Sequence, residues 1–99
     1  IMKHFIIEIT YTSGLSEIEK VLQDHRNFLQ SGYDNGMLLC SGPMNPRTGG
    51  ILIARAENDL AIKEFLIHDP YNVNELVEYR IVEFNPVKSQ SFMENWIKG

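Results

Sequence analysis

The sequence predicts an α+β domain of the ferredoxin-like type, βαββαβ, with a four-stranded antiparallel sheet and two helices on one face. Three observations carry this expectation. Apolar and polar residues alternate in short runs near both ends of the chain, as half-buried strands require. Two intervening stretches repeat their apolar residues every three to four positions, the period of an amphipathic helix. Turn-forming residues separate the segments in the order strand, helix, strand, strand, helix, strand. Right-handed crossovers then put both helices on the same side of the sheet.

The first strand is "KHFIIEITY", in which Phe5, Ile7, Ile9 and Tyr11 form a core face and His4, Ile6, Glu8 and Thr10 a mixed one. "TSG" breaks it, and Ser16 with Glu19 three residues on reads as a capping box for the first helix. Ile18, Leu22 and Leu29 form the helix stripe, with Leu15, Val21 and Phe28 at its margins, and Gly32 with "DNG" is expected to end it. "MLLCSGP" is a short apolar run between turn signals and reads as a buried strand. "PMNPRTGG" is the loop to a third strand, "GILIARAE". Asn58 or Asp59 caps a second helix, Leu60 to about His68, which Pro70 stops. "YNVNE" reads as a connection and "LVEYRIVEF" as the fourth strand, its Val77, Tyr79 and Ile81 facing inward.

Composition bounds the rest. With 99 residues, 43% of them hydrophobic and 22% charged, the chain fits one domain, residues 2–99. Residues 89–99 form a tail with Phe92, Trp96 and Ile97, read as a short terminal helix. Ile1, ahead of Met2, is left out of the fold reading. The net charge is −4 and the basic residues never form a run, which argues against nucleic acid as a partner. No apolar stretch is long enough to span a membrane, and no leader pattern is seen. The lone Cys40 has no partner for a disulfide and is expected in the core, which fits a cytoplasmic protein. Ile6, Val82 and Phe84 make the uncovered sheet face too apolar for water, so a homodimer packed sheet to sheet is expected.

Few residues can carry chemistry. At about 100° per residue, His25 falls on the stripe of Ile18, Leu22 and Leu29 and faces inward. It reads either as a core histidine satisfied by one hydrogen bond or as a general base tuned by burial and a carboxylate. Asp69 reads either as a plain helix end or as that carboxylate, because a negative charge is unfavourable at a helix C-terminus and needs another reason to be there. His68 and Asp24 point elsewhere and are taken as bystanders. Arg47 is either an ordinary loop arginine or a contact for an anionic substrate. His4, His25 and His68 lack metal-ligand spacing, so no metal is expected.

The ordered set "DHRNFL", "GMLLCSGP", "GGILIARAE", "DLAIKEFLIHDPY" and "VEYRIVEF" resembles the YciI-like (YCII-related) family over most of residues 3–85. The resemblance implies a dimeric α/β barrel and a catalytic His–Asp pair at His25 and Asp69; assembly beyond the dimer is left open by the sequence. It also implies a substrate pocket walled by Ser41, Gly42, Pro43 and Tyr71. One branch of the family eliminates chloride from a chlorinated hydroxyquinol. The expected function is therefore a lyase or isomerase for a small cyclic or carbonyl substrate, without a cofactor, because such steps need only proton transfer and charge stabilisation. The alternative is a non-catalytic small-ligand or interaction module of the same fold. A small structural subunit of a larger assembly is a third reading.

Overall fold

The alternation in "KHFIIEITY" becomes β1 (Lys3–Tyr11), which pairs antiparallel with two neighbours in the computed structural model, which describes residues 1–99. The other elements are α1 (Leu15–Asp34), β2 (Leu38–Pro43), β3 (Gly49–Ala56), α2 (Asp59–Ile67), α3 (Pro70–Val73), β4 (Val77–Phe84) and α4 (Glu94–Lys98), the last entered through a 3-10 turn at Ser91–Met93. The sheet order is β2-β3-β1-β4, fully antiparallel, with α1 and α2 on one face. The expected α+β ferredoxin-like architecture is therefore present.

The core lies between that face and the helices. Phe5, Ile7 and Ile9 of β1 meet Ile18 and Leu29 of α1 and Ile62 and Leu66 of α2, all buried. Burial of each such side chain contributes roughly 1.5–3 kcal/mol. Asn58 caps α2 as expected, its Oδ1 accepting from the Ala61 N–H at 2.9 Å.

Several local expectations are corrected. α1 starts at Leu15 on an N-cap at Gly14, so the capping box at Ser16 does not form, and Glu19 instead pairs with Arg47. Gly32 does not end α1. It is buried inside the helix, where a Cβ would lie 2.8 Å from both Leu38 and Phe65, so its smallness lets the helix sit close to the layer below. Asn35 is the C-cap, and Gly36 follows at φ +82°. "YNVNE" is not a plain connection, because Pro70–Val73 form the one-turn α3.

The largest correction is in β2. Leu38 faces Ala54 and Cys40 faces Ile53, so two residues of β2 oppose one of β3 across a β-bulge. The face alternation skips one position. Cys40 turns to the sheet face away from the helices and is exposed, not a core thiol. Ser41, opposite the buried Leu52, turns to the helix side.

The other sheet face is not wholly open. Trp96 of α4 packs on His4, with ring centroids 5.4 Å apart, and Arg55 donates to the Trp96 carbonyl at 2.6 Å. His4 is thereby buried, although the strand pattern assigns it to the exposed side. The tail thus lies against the sheet face opposite α1 and α2.

Gly49 shows how tightly the register is held. It opposes Thr10 in β1, and a Cβ on it would lie 1.8 Å from the Ile9 carbonyl oxygen, whereas a Cβ on Gly42 would meet nothing within 4 Å. Gly49→Ala is therefore expected to lower the unfolding free energy by about 2 kcal/mol or more, and Gly42→Ala to change it by less than about 0.5 kcal/mol. Urea denaturation of the two variants checks the contrast, and equal small effects would overturn the register.

Candidate functional site

Pro70 sets the site from its own chemistry. It disfavours helical geometry at the residue before it, and Asp69 accordingly has φ −61° and ψ 124°, an extended backbone between two helices. α2 closes as the Asp69 N–H donates to the Leu66 carbonyl at 3.1 Å. α3 opens with Pro70 in its first turn and Asp69 as N-cap, the Oδ1 accepting from the Tyr71 N–H at 3.0 Å. The electrostatic mismatch expected for Asp69 at a helix C-terminus is therefore resolved, since its carboxylate faces the favourable N-terminal end of the next helix.

Asp69 is completely buried, yet its carboxylate has three donors. His25 Nδ1 lies 2.8 Å from Oδ1, and the Tyr79 hydroxyl donates to Oδ2 at 2.7 Å. A carboxylate only accepts, so His25 Nδ1 carries the hydrogen, and in the neutral imidazole the lone pair is then on Nε2. Tyr71 stacks on the imidazole with ring centroids 3.7 Å apart and an interplanar angle of 7°, which fixes the ring plane. Of the two readings of His25 and Asp69, the placement answers the geometric part: they meet across 44 positions of sequence.

His25 forms part of the wall of a cavity of about 350 Å³ between α1 and the sheet. Ser41, Gly42, Pro43, Arg47 and Tyr71 line the same cavity. Asp69 does not line it and stands behind His25. Ile9, Leu22, Leu29 and Leu52 supply apolar surface. The β2 bulge turns Ser41 inward, and its hydroxyl is 2.5 Å from the Tyr33 hydroxyl on α1. Arg47 lies over the Tyr11 ring, 6.0 Å from its centroid, and its guanidinium is held more firmly protonated by Tyr11 first and by Glu19.

Sequence reasoning placed Tyr79 inward but gave it no role. A tyrosine on an apolar strand face needs a partner for its hydroxyl, and that requirement is the signal that points to Asp69. The sequence pattern gives no role to Tyr33 or Arg26 either. Arg26 follows His25 and lines the cavity. His68 and Asp24 are exposed, as expected of bystanders. No three His, Cys, Asp or Glu side chains converge to hold a metal ion.

The YCII-related domain matches residues 2–85 of the chain. Among solved structures, 5-chloro-2-hydroxyhydroquinone dehydrochlorinase from Burkholderia phenoliruptrix AC1100, in complex with 2,5-dihydroxybenzoquinone, is similar. The TM-score is 0.68 at 20% identity, covering 82% of this chain and 90% of that one, a likeness of fold. No curated protein matches the chain.

The two tyrosines around Asp69 should respond late to alkali. Burial is the main cause that pushes the Tyr71 phenol up from 10.0 to about 12. Burial, and then the negative Asp69, push Tyr79 up as well. A raised folded value means that neutral Tyr71 supports the fold fully below pH 10.0 and that this support is lost as pH rises through about 12. Phenolate absorbance should therefore show that two of the four tyrosines ionise late, together with loss of near-ultraviolet dichroism. Tyr79→Phe should remove one late ionisation and cost about 1–3 kcal/mol, because Asp69 Oδ2 is left unpaired. Four tyrosines that titrate like the free amino acid in folded protein would contradict this packing.

Proposed function

The chain belongs to the YCII-related family, and on that premise we propose that it is a small-molecule enzyme in which His25 and Asp69 form a cofactor-independent acid–base pair. The observation that carries the proposal is the buried Nδ1–Asp69 hydrogen bond behind an imidazole whose Nε2 has no protein partner and which walls a cavity. A histidine serving packing alone would not need a sealed carboxylate on one side and open space on the other.

The chemistry follows from that polarity. Nε2 takes a proton from a C–H bond next to a substrate carbonyl, and the bonding pair moves onto the carbonyl oxygen. Asp69 stabilises the imidazolium so formed and keeps Nδ1 protonated throughout. Return of the proton from Nε2 to another carbon gives isomerisation. Expulsion of a neighbouring leaving group by the electron pair gives elimination, with the proton left on Nε2 until solvent removes it. Asp69 touches no substrate and acts as a positioning residue. Ser41, Gly42, Pro43, Tyr71 and Arg47 would form the substrate walls. The dehydrochlorinase of similar fold was solved with a small oxygenated ring, and such a ring suits a cavity of about 350 Å³.

A second copy of the chain is proposed to cover the other sheet face. Ile6, Ile51, Ile53 and Val82 are only half-buried there, and Phe84 is 39% exposed. Val82→Lys should then shift the chain from dimer to monomer in light scattering, whereas a monomeric wild type would refute the assembly.

Small cyclic acids, lactones and hydroxyquinones, screened first by thermal shift and then for turnover, provide the test of chemistry. His25→Ala should lower turnover at least about a hundredfold and keep a cooperative melting transition. Asp69→Asn should also lower kcat, by presenting the wrong donor to Nδ1, with KM little changed. Turnover that survives His25→Ala in folded protein would overturn the acid–base role and leave a ligand-binding module.

A further inference from the structure

The chain carries a formal net charge of −4, with 13 acidic residues against nine basic ones, yet its cavity has the opposite character. No Asp or Glu side chain lines it, and two arginines do, Arg26 from α1 and Arg47 from the β2–β3 loop. Asp69, the nearest carboxylate to His25, is sealed behind the imidazole and engaged by three donors. A guanidinium pair at the mouth of a partly apolar cavity focuses positive potential on whatever enters.

The two arginines are in different states. Arg47 is ion-paired with Glu19 of α1. Arg26 takes part in none of the ion pairs. Glu19 and Arg26 are seven positions apart on α1, which puts them within about 20° of one another around the helix and about 10 Å apart along it. Leu22, a cavity-lining residue, lies between them on the same face. The Glu19 carboxylate therefore occupies one rim guanidinium, and the other on that helix face is free. Exposed ion pairs contribute little to stability, so Glu19 is easily displaced by a better-placed carboxylate. Arginine suits such an exchange, because its planar fork binds carboxylates in a bidentate manner.

Resting on the reading of this cavity as the ligand site, we infer that its ligand bears a carboxylate, held at the rim by Arg26 and Arg47, with Glu19 as the internal competitor that yields Arg47 when the ligand arrives. The remainder of the ligand extends between Leu22, Leu29 and Leu52 toward His25. Anionic ligands are thus selected at the rim, before the reacting atoms meet the imidazole.

Two probes with the same ring and different charge test this, 2,5-dihydroxybenzoate and neutral hydroquinone, in titration calorimetry with the intact chain. The wild type should bind the carboxylate at least roughly tenfold more tightly, as expected of charge-assisted hydrogen bonds. The preference should shrink in added salt. Arg26→Gln and Arg47→Gln should each remove most of the preference, weakening the carboxylate probe far more than hydroquinone. Glu19→Gln should tighten the carboxylate severalfold and not the neutral probe. Equal affinities for the two probes, no binding of the carboxylate at millimolar concentration, or no response to Glu19→Gln would overturn the inference. Ser41→Phe, which places a ring in the cavity from its wall, separates the two levels of the reading. Carboxylate binding that survives Ser41→Phe refutes the cavity as the ligand site. Binding lost in Ser41→Phe, with no charge preference in the wild type, keeps the site and refutes the anion. The His25→Ala turnover result has no bearing on either outcome.

Discussion

A carboxylate with no exposure to water must be satisfied by the protein around it, and much of this structure follows from that requirement at Asp69. Desolvation of an ion costs several kcal/mol and is offset only by good geometry and enough donors. The three donors come from three elements: the imidazole from α1, a backbone N–H from α3 and a phenol from β4. Asp69 therefore joins the helix layer to an edge strand. The same three bonds orient His25. Stability and site geometry have a common origin here, so the charged anchor cannot be relaxed without also releasing the imidazole.

The sheet contributes through two irregularities. Gly49 lets β3 approach β1 more closely than any side chain would allow, at the strand end that borders the cavity. Gly32 does the equivalent for α1 over Leu38 and Phe65. Gly32 sets the helix against the layer below, and Gly49 sets β3 against β1 beside the β2–β3 loop. The loop carrying Arg47 borders the cavity at the same end of the sheet.

Most of this arrangement was legible in the sequence because periodicity reports burial directly. The alternation in β1 and the stripe Ile18, Leu22, His25 and Leu29 led to the sheet face and to an inward histidine. Asp69 was legible from Pro70, which limits its backbone, and from its awkward position after an apolar helix. The failures share a different physical origin. The expectation of a core Cys40 fails because a bulge is an insertion in pairing, and pairing involves a partner strand absent from local pattern. His4 was misread because Trp96, distant in sequence, covers it. The capping box at Ser16 lost to a helix that begins at Leu15, capped by Gly14, and leaves Glu19 for Arg47. Tyr79 was placed on the correct face, but its role is a tertiary hydrogen bond that no spacing announces.

The bulge in β2 has a chemical meaning beyond geometry. Cys40 and Ser41 are consecutive, and side chains alternate between faces along a strand. In a regular ladder from Leu38 onward, Cys40 would oppose Leu52 and Ser41 would oppose Ile51. The skipped position reverses that assignment. Two adjacent residues thus compete for one place on the cavity wall, one a soft, oxidisable thiol and the other a hard hydroxyl tethered to Tyr33. Strand register, not residue identity, decides which heteroatom a ligand encounters, and a slip by one residue would convert an oxygen-lined wall into a redox-sensitive one.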